Sequence, residues 1–291
     1  MGEIKYPAAR SHKFLHAAPQ CRPIKRGARR KALIRKYESK DGKQQLEIRL
    51  FSELDIADQD LLICLCSMVL PNSNGVIVGN NPSHQKNIDL RDDLDLKGNE
   101  VTRMNALSCE TTAFEILTEL NKGRSKRAYD WLLESFKRLA GVQFYFKNSS
   151  GINQFNLISW SMCTNKNGRI ESIDFCLNPY SAGAVLGSGG YVLQHRGERS
   201  LLKKEESRAL HSVLCGMVDM GSEHTFNVDM LADKVYSRYD EDVTQKAIEL
   251  RRKSIINSCD EINELAYWSC ESLGRGKRAS LSIRRKRRKD I

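Results

Sequence analysis

Guanidinium, ammonium and amide groups at helical spacing are the chemistry this sequence offers. Gln245, Lys246, Arg251, Arg252 and Lys253 crowd the stretch from residue 242 to about 258, where Ile248, Ile255 and Ile256 serve the core. Arg and Gln on an exposed helix face can make bidentate contacts to guanine and adenine in a major groove. Downstream, Gly274-Arg275-Gly276-Lys277-Arg278 forms a basic turn between two apolar runs. Arg275, Lys277 and Arg278 there could reach a phosphate or a minor groove. A second set, Ser125, Lys126, Arg127 and Tyr129, opens a helix whose core stripe is Ala128, Trp131, Leu132, Phe136 and Leu139. Lys25, Arg26, Arg29 and Arg30 form a third basic group near the start of the chain. A charged surface helix with no ligand is the competing reading for both helices. The basic turn and tail beside residues 242–258 weigh against it there, whereas the outer face of 124–139 is mixed in sign.

Other chemistries find no site in the sequence. No G-x-x-x-x-G-K-[ST] occurs, so a P-loop motor is not expected. No His-x-His or His-Glu-x-x-His occurs, so neither a metal nor a catalytic constellation is expected. Asp89, Asp92, Asp93 and Asp95 sit in a polar stretch and read as a solvated loop. Gly187-Ser188-Gly189-Gly190 reads as a joint in preference to a phosphate cradle, and His211 as a packed or surface residue. Nine cysteines are scattered without a CxxC, and Cys64 and Cys66 fall on nearly opposite faces of a helix. A reduced, cytoplasmic protein without cofactor is the expectation. The apolar run Leu61–Leu70 is too short to cross a bilayer, and no apolar segment follows the basic start.

Charge is unevenly placed. Residues 1–40 hold 12 Lys/Arg against 2 acidic residues, and residues 275–291 hold 9 against 1. The remainder has 26 basic and 33 acidic residues, so two basic arms flank an acidic body. Such arms suit phosphate tracking, although solvated tails also aid solubility.

The elements that position these groups come twice. Leu65-Cys66-Ser67-Met68-Val69 returns as Leu214-Cys215-Gly216-Met217-Val218, with Leu61 matching Leu210. Each copy closes an amphipathic helix opened by acidic residues (Asp55 and Asp58; Glu205 and Glu206). A short second helix, a basic third helix and strands around a Gly-rich turn follow in both. Helix, helix, basic helix and hairpin is the order of a winged helix-turn-helix. The expected fold is α+β, with two tandem winged helix-turn-helix domains. The expected divisions are a basic N-terminal arm over 1–40, domains over 41–186 and 187–284, and a basic tail over 285–291. Specific expectations are helices over Leu202–Val218 and from an Asp242 cap to about Ser258, and a cap at Ser108 or Thr111. The partner is double-stranded DNA. An RNA-binding alternative needs exposed aromatics on a sheet, and Phe144, Tyr145 and Phe146 are too contiguous to decide it.

Three ordered motifs carry a family resemblance. They are Lys25-Arg26-Gly27-Ala28-Arg29; Leu177-Asn178-Pro179 with Ala182, Ala184, Val185, Gly187, Gly189 and Gly190; and Leu210-His211-x-x-Leu214-Cys215-Gly216-x-Val218-Asp219. From about residue 12 to 272 the chain resembles the replication initiator C (RepC) proteins of IncQ-type plasmids, at low overall identity. The resemblance implies a non-enzymatic initiator of plasmid replication. It would bind directly repeated iterons at an origin and open the DNA for a separately encoded helicase and primase. By analogy with winged-helix initiators it also implies a homodimer through the first domain. Lys25, Arg26 and Arg29 match a basic stretch, and Arg251 and Arg252 fall at matching basic sites. A winged-helix transcriptional regulator is the alternative, but the repeat leaves no room for a ligand-sensing domain.

Overall fold

The computed structural model describes residues 5–12, 15–16, 20–24, 27, 30–38, 45–69, 75–78, 106–148, 151–164, 166, 170–186, 190–236 and 243–287. They form a mixed α+β fold. Strands β1 (Ala8–His12), β2 (Leu33–Glu38) and β3 (Gln45–Leu50) precede helix α1 (Ile56–Met68). The sequence starts α1 with a capping box: Asp55 accepts from the Asp58 amide at 2.9 Å, and Asp58 from the Asp55 amide at 3.0 Å. Then come β4 (Gly75–Val78), β5 (Ala106–Thr111), α2 (Ala113–Glu119) and α3 (Lys126–Ala140). Thr112 caps α2, not Ser108 or Thr111, because those two lie within β5. Strands β6 (Val142–Asn148), β7 (Gly151–Asn156), β8 (Ile158–Thr164) and β9 (Ile170–Leu177) follow.

Helix α4 (Pro179–Leu186) closes the first half, and the second half holds β10 (Tyr191–His195), α5 (Arg196–Leu201), α6 (Glu205–Met217), β11 (Glu223–Asn227) and α7 (Val228–Tyr236). Helix α8 (Gln245–Asn263) and the hairpin β12 (Trp268–Leu273) and β13 (Ser280–Arg285) follow. The helix expected over 202–218 is α6, which starts only at Glu205 because Leu202 and Lys204 are in extended backbone; the separate short helix α5 precedes it. Thr244 caps α8, accepting from the Ala247 amide at 3.3 Å. The expected cap Asp242 lies outside the described residues, as do the acidic stretch 79–105 and Gly187–Gly189.

The repeat in sequence is a repeat of topology. In the first half the strand before the second helix pairs with the last strand of a hairpin, giving the order β5-β9-β8, to which β4 is added at the β5 edge. In the second half the corresponding order is β11-β13-β12, and all these pairings are antiparallel. The first half differs by an inserted hairpin, β6-β7, which joins β2 and β3 in a sheet of order β2-β3-β6-β7. In both halves the third helix is tied to the start of the first. Arg138 of α3 binds the fully buried Asp58 carboxylate at 2.8 Å, and Ser135 donates to it at 2.6 Å. Glu261 of α8 accepts from the Lys203 and Lys204 amides at 3.0 and 3.2 Å.

Residues 1–40 are not a free arm where they are described. β1 pairs antiparallel with β10, from Ala8 opposite His195 to His12 opposite Tyr191. Tyr6, Ala9, Leu15 and Cys21 are buried in the core. Cys21 bridges Leu54, and Arg22 binds Glu53 at 2.5 Å. β2 belongs to a sheet, and Arg35 within it is 1% exposed. The segment shows no periodicity because its buried residues meet a different element at every few positions. The tail expected from 285 also begins inside the fold. Arg285 is buried, and it donates to the carbonyls of Leu193, Cys215 and Val218.

The one residue changed between the repeated motifs now has a reason. Ser67 accepts from Arg196 Nη1 at 3.2 Å. Its counterpart Gly216 makes room for His16, since a Cβ there would lie 2.5 Å from the His16 Cβ. His16 is held between Ser11 Oγ at 2.8 Å and the Ser212 carbonyl at 2.9 Å. Burial drives its pKa down to about 4, against the bond to Ser212. His211 moves the other way. Burial opposes its charge, but Cys215 at 3.7 Å and Glu198 at 3.4 Å prevail, and its pKa rises to about 9.

Two outcomes follow for stability. Gly216→Ala would gain about 0.5–1 kcal/mol in an open helix but here should destabilise by about 1–3 kcal/mol through overpacking, read as a lower urea midpoint. The pH profile should peak near the ordinary histidine value. Below it the unfolded chain protonates His16 and the folded chain does not, so stability falls between pH 6.5 and about 4. Above it the folded chain keeps the His211 proton that the unfolded chain releases, so stability falls between pH 6.5 and about 9. Urea midpoints that stay flat from pH 5 to 9 would contradict both assignments.

Candidate nucleic-acid interface

α8 is amphipathic, and its burial pattern sorts the basic residues. Ile255, Ser258, Cys259 and Ile262 face the core. Gln245, Lys246, Glu249, Leu250 and Lys253 are exposed on the opposite side. Gln245, Glu249, Arg252, Lys253 and Ile256 line a trough of about 450 Å³ closed on its far side by Gly276. Gly276, with φ of 60°, lies in the tight turn Gly276–Arg278 that joins β12 to β13. Helix and turn therefore form one open concave surface, and Arg275 and Arg278 beside Gly276 in sequence are exposed. The side chain of Lys277 lies outside the described residues.

Two expected base readers are placed differently. Arg252 turns towards α7, where its Nε and Nη2 both donate to Asp229, the second bond at 2.7 Å. This pair raises the Arg252 pKa above the ordinary guanidinium value and leaves its side chain 12% exposed. Arg251 lies 5.1 Å from the Tyr236 ring centroid. Of the expected contacts on α8, Gln245, Lys246 and Lys253 remain exposed, and Gln245 reaches Glu249 at 3.4 Å. Sequence reasoning also missed Leu250, a large apolar side chain 59% exposed on the same face. A leucine at this position matches the apolar contact that a thymine methyl offers.

In the first half, the turn between α2 and α3 carries the exposed charge. Ser125 caps α3, its Oγ accepting from the Ala128 amide at 3.3 Å. Lys126 and Arg127 are exposed, and Tyr129 is half-buried against the core. The sequence reading missed two neighbours. Arg124 lies over the half-exposed Phe114 ring at 4.0 Å, and Lys122 over the Trp131 ring at 4.0 Å. Both cations are oriented by aromatic faces while their charge stays at the surface. Asn121, at φ of 50°, makes the turn that brings Lys122 and Arg124 beside Lys126 and Arg127.

The N-terminal basic group does not join either surface where it is described. Arg30 forms ion pairs with Asp55 and Asp58 and donates to the Glu53 carbonyl at 2.6 Å. It anchors the start of α1. Lys25, Arg26 and Arg29 lie outside the described residues. Among the described residues there is no His/Cys/Asp/Glu group that could hold a metal ion, and no helix long and apolar enough to cross a membrane.

The family model for replication protein C (RepC) matches residues 8–279. The chain belongs to this family. The match runs from the start of β1 through β12 and ends just before β13, so it spans both halves of this RepC chain. A search of curated proteins finds no match. Among solved structures the chain is similar to domains 2 and 3 of RctB. One crystal structure of RctB domains 2-3 aligns with a TM-score of 0.52 at 12% identity, over 93% of this chain and 95% of that one. A selenomethionine form of the same two domains gives 0.51 at 10% identity, over 91% and 94%. At that identity the likeness is one of fold.

The placement of the α8 residues makes a prediction. Lys246→Ala and Lys253→Ala should each weaken duplex DNA binding and flatten its salt dependence by about 0.9 in log–log slope if one phosphate contact is lost. Arg252→Ala should lower the melting temperature by freeing Asp229 while leaving the salt slope unchanged. A steeper loss of slope for Arg252→Ala than for the two lysines would reverse the assignment.

Proposed function

We propose that this RepC chain is a plasmid replication initiator that binds double-stranded DNA through two tandem winged helix-turn-helix modules, over 41–186 and 187–284. The single observation that carries the reading is the duplicated arrangement of three helices and a strand order of first, last, middle, with exposed basic residues on each third helix (Lys126 and Arg127; Lys246 and Lys253). α2 and α3, and α7 and α8, are the helix-turn-helix pairs. β8-β9 and β12-β13 are the wings. Gln245, Lys246, Leu250 and Lys253 face the major groove, with Arg275, Lys277 and Arg278 on the adjacent backbone. Ser125, Lys126 and Arg127, joined by Lys122 and Arg124, make the first module's contact.

The family supports replication as the process. Directly repeated iterons at an origin are the proposed site, and opening of DNA for a separately encoded helicase and primase is the proposed outcome. The chain supplies binding energy and geometry and no bond-making chemistry. Non-enzymatic action fits a surface on which Gln245, Lys246 and Lys253 offer donors to phosphate and base edges.

Hydroxyl-radical footprinting on an origin fragment with direct repeats tests the reading. Two protected patches should lie on one face of each repeat, about one helical turn (roughly 34 Å) apart. Protection confined to one groove, or no preference for the repeats over random duplex, would refute it.

A further inference from the structure

Between the two halves lies α5, a helix of six residues with two buried arginines. Arg196 is 6% exposed and enters the first half. Its Nη1 donates to Glu119 Oε2 at 2.7 Å, Ser67 Oγ at 3.2 Å and the Tyr6 carbonyl at 2.9 Å. Its Nη2 donates to the Glu119 carbonyl at 2.6 Å. Arg199, 4% exposed, spans both halves. It donates to Asp60 at 2.5 Å and Gln59 at 2.8 Å on α1, and to the Arg208 carbonyl at 2.7 Å on α6. Arg208 returns to the same Asp60 at 2.6 Å. Ser212 of α6 meets Gln59 of α1 at 3.2 Å and Gln194 of β10 at 2.9 Å. The strand β1 closes the joint from the other side through β10 and α4, with Arg10 Nη1 on the Val185 carbonyl at 3.3 Å.

A joint of buried guanidiniums has few alternative geometries. Each fork fixes direction as well as distance, and a displaced fork leaves charges unpaired away from water. Two halves joined by an apolar surface could slide, and two joined by a polar linker could swing. These can do neither at low cost.

We infer that Arg196, Arg199 and Asp60 are positioning residues for DNA recognition, and that their joint sets the spacing and helical phase of the two DNA contacts. The inference rests on the proposed binding by both modules. It assigns to the interior a specificity that no base contact carries. The two half-sites of a repeat are measured by the protein, so an insertion between them costs affinity although every base that is read remains present.

The test uses the full chain and the duplex that the chain itself selects from a random-sequence pool. Two base pairs are inserted between the protected halves, which moves the second half by about 7 Å and turns it by about 70°. Wild type should lose about thirtyfold or more in affinity, the equivalent of one bidentate base contact. A ten-base-pair insertion, which restores the face but not the distance, should be no better. Arg199→Gln and Asp60→Asn, checked by circular dichroism and urea unfolding, should keep affinity for the native spacing within about threefold but tolerate the two-base-pair insertion at least about tenfold better than wild type. If Arg199→Gln fails to fold, Arg208→Gln, which removes only the outer ligand of Asp60, serves for the same comparison.

Three results would overturn the inference. One is a wild type that accepts the two-base-pair insertion within about threefold. Another is a wild type that recovers with ten base pairs, which would show a flexible tether. The last is folded variants that keep the full insertion penalty. Failure of wild type to select any duplex would instead defeat the DNA-binding reading itself, and with it this inference.

Discussion

The ion pair of Arg196 with Glu119, buried to 6% and 5% side-chain exposure, governs the architecture. A guanidinium and a carboxylate taken out of water are tolerated only when hydrogen bonds satisfy the rest of each group. Here the remaining donors find the Tyr6 and Glu119 carbonyls and Ser67. Those acceptors belong to the N-terminal segment, to α1 and to α2, while Arg196 belongs to the second half. The same holds for Arg199, whose acceptors sit on α1 and α6. Neither half can satisfy these groups alone. The two repeated units therefore behave as one body, and their outward helices keep a fixed relation.

This changes the meaning of the charge distribution. The sequence places basic arms on an acidic body, which suggests cations free for phosphate. Within the described residues, many of those charges are partners of one another. Arg22 and Arg30 from the N-terminal segment meet Glu53, Asp55 and Asp58, and Lys5 meets Glu115. Among the described residues, the cations proposed to meet DNA are a smaller set at the α2–α3 turn, the outer face of α8 and the β12–β13 tip. A smaller set held rigidly suits recognition better than a large mobile one, because fixed donors lose less freedom on binding.

How much of this was legible in the sequence depended on how local the determinants are. The repeat, the third helices, the β12–β13 hairpin and the acidic start of α1 follow from periodicity and turn chemistry, and all stand in the structure. The α+β class and the family follow from the repeat and the three quoted motifs. β1 and α5 were not legible. Arg196-Gly197-Glu198-Arg199 reads as charged surface, and only the distant acceptors on α1 and α2 explain its burial. Arg252 and Lys253 are adjacent, basic and helical, and the sequence holds nothing that tells which one turns inward. Asp229, in the first turn of α7, makes that choice. Leu250 was passed over because an apolar residue in a helix is normally taken for core.

The central claim is that buried arginines fuse two repeated units into one cooperative body. Three tryptophans report on it: Trp131 and Trp160 in the first half and Trp268 in the second. Equilibrium urea unfolding should be followed in two single-tryptophan proteins, one keeping Trp160 and the other Trp268, with phenylalanine at the remaining positions. Fluorescence from the two should trace coincident transitions with one midpoint and one slope, as expected of a single cooperative unit. Two separated midpoints, with one half unfolding while the other stays native, would contradict the account.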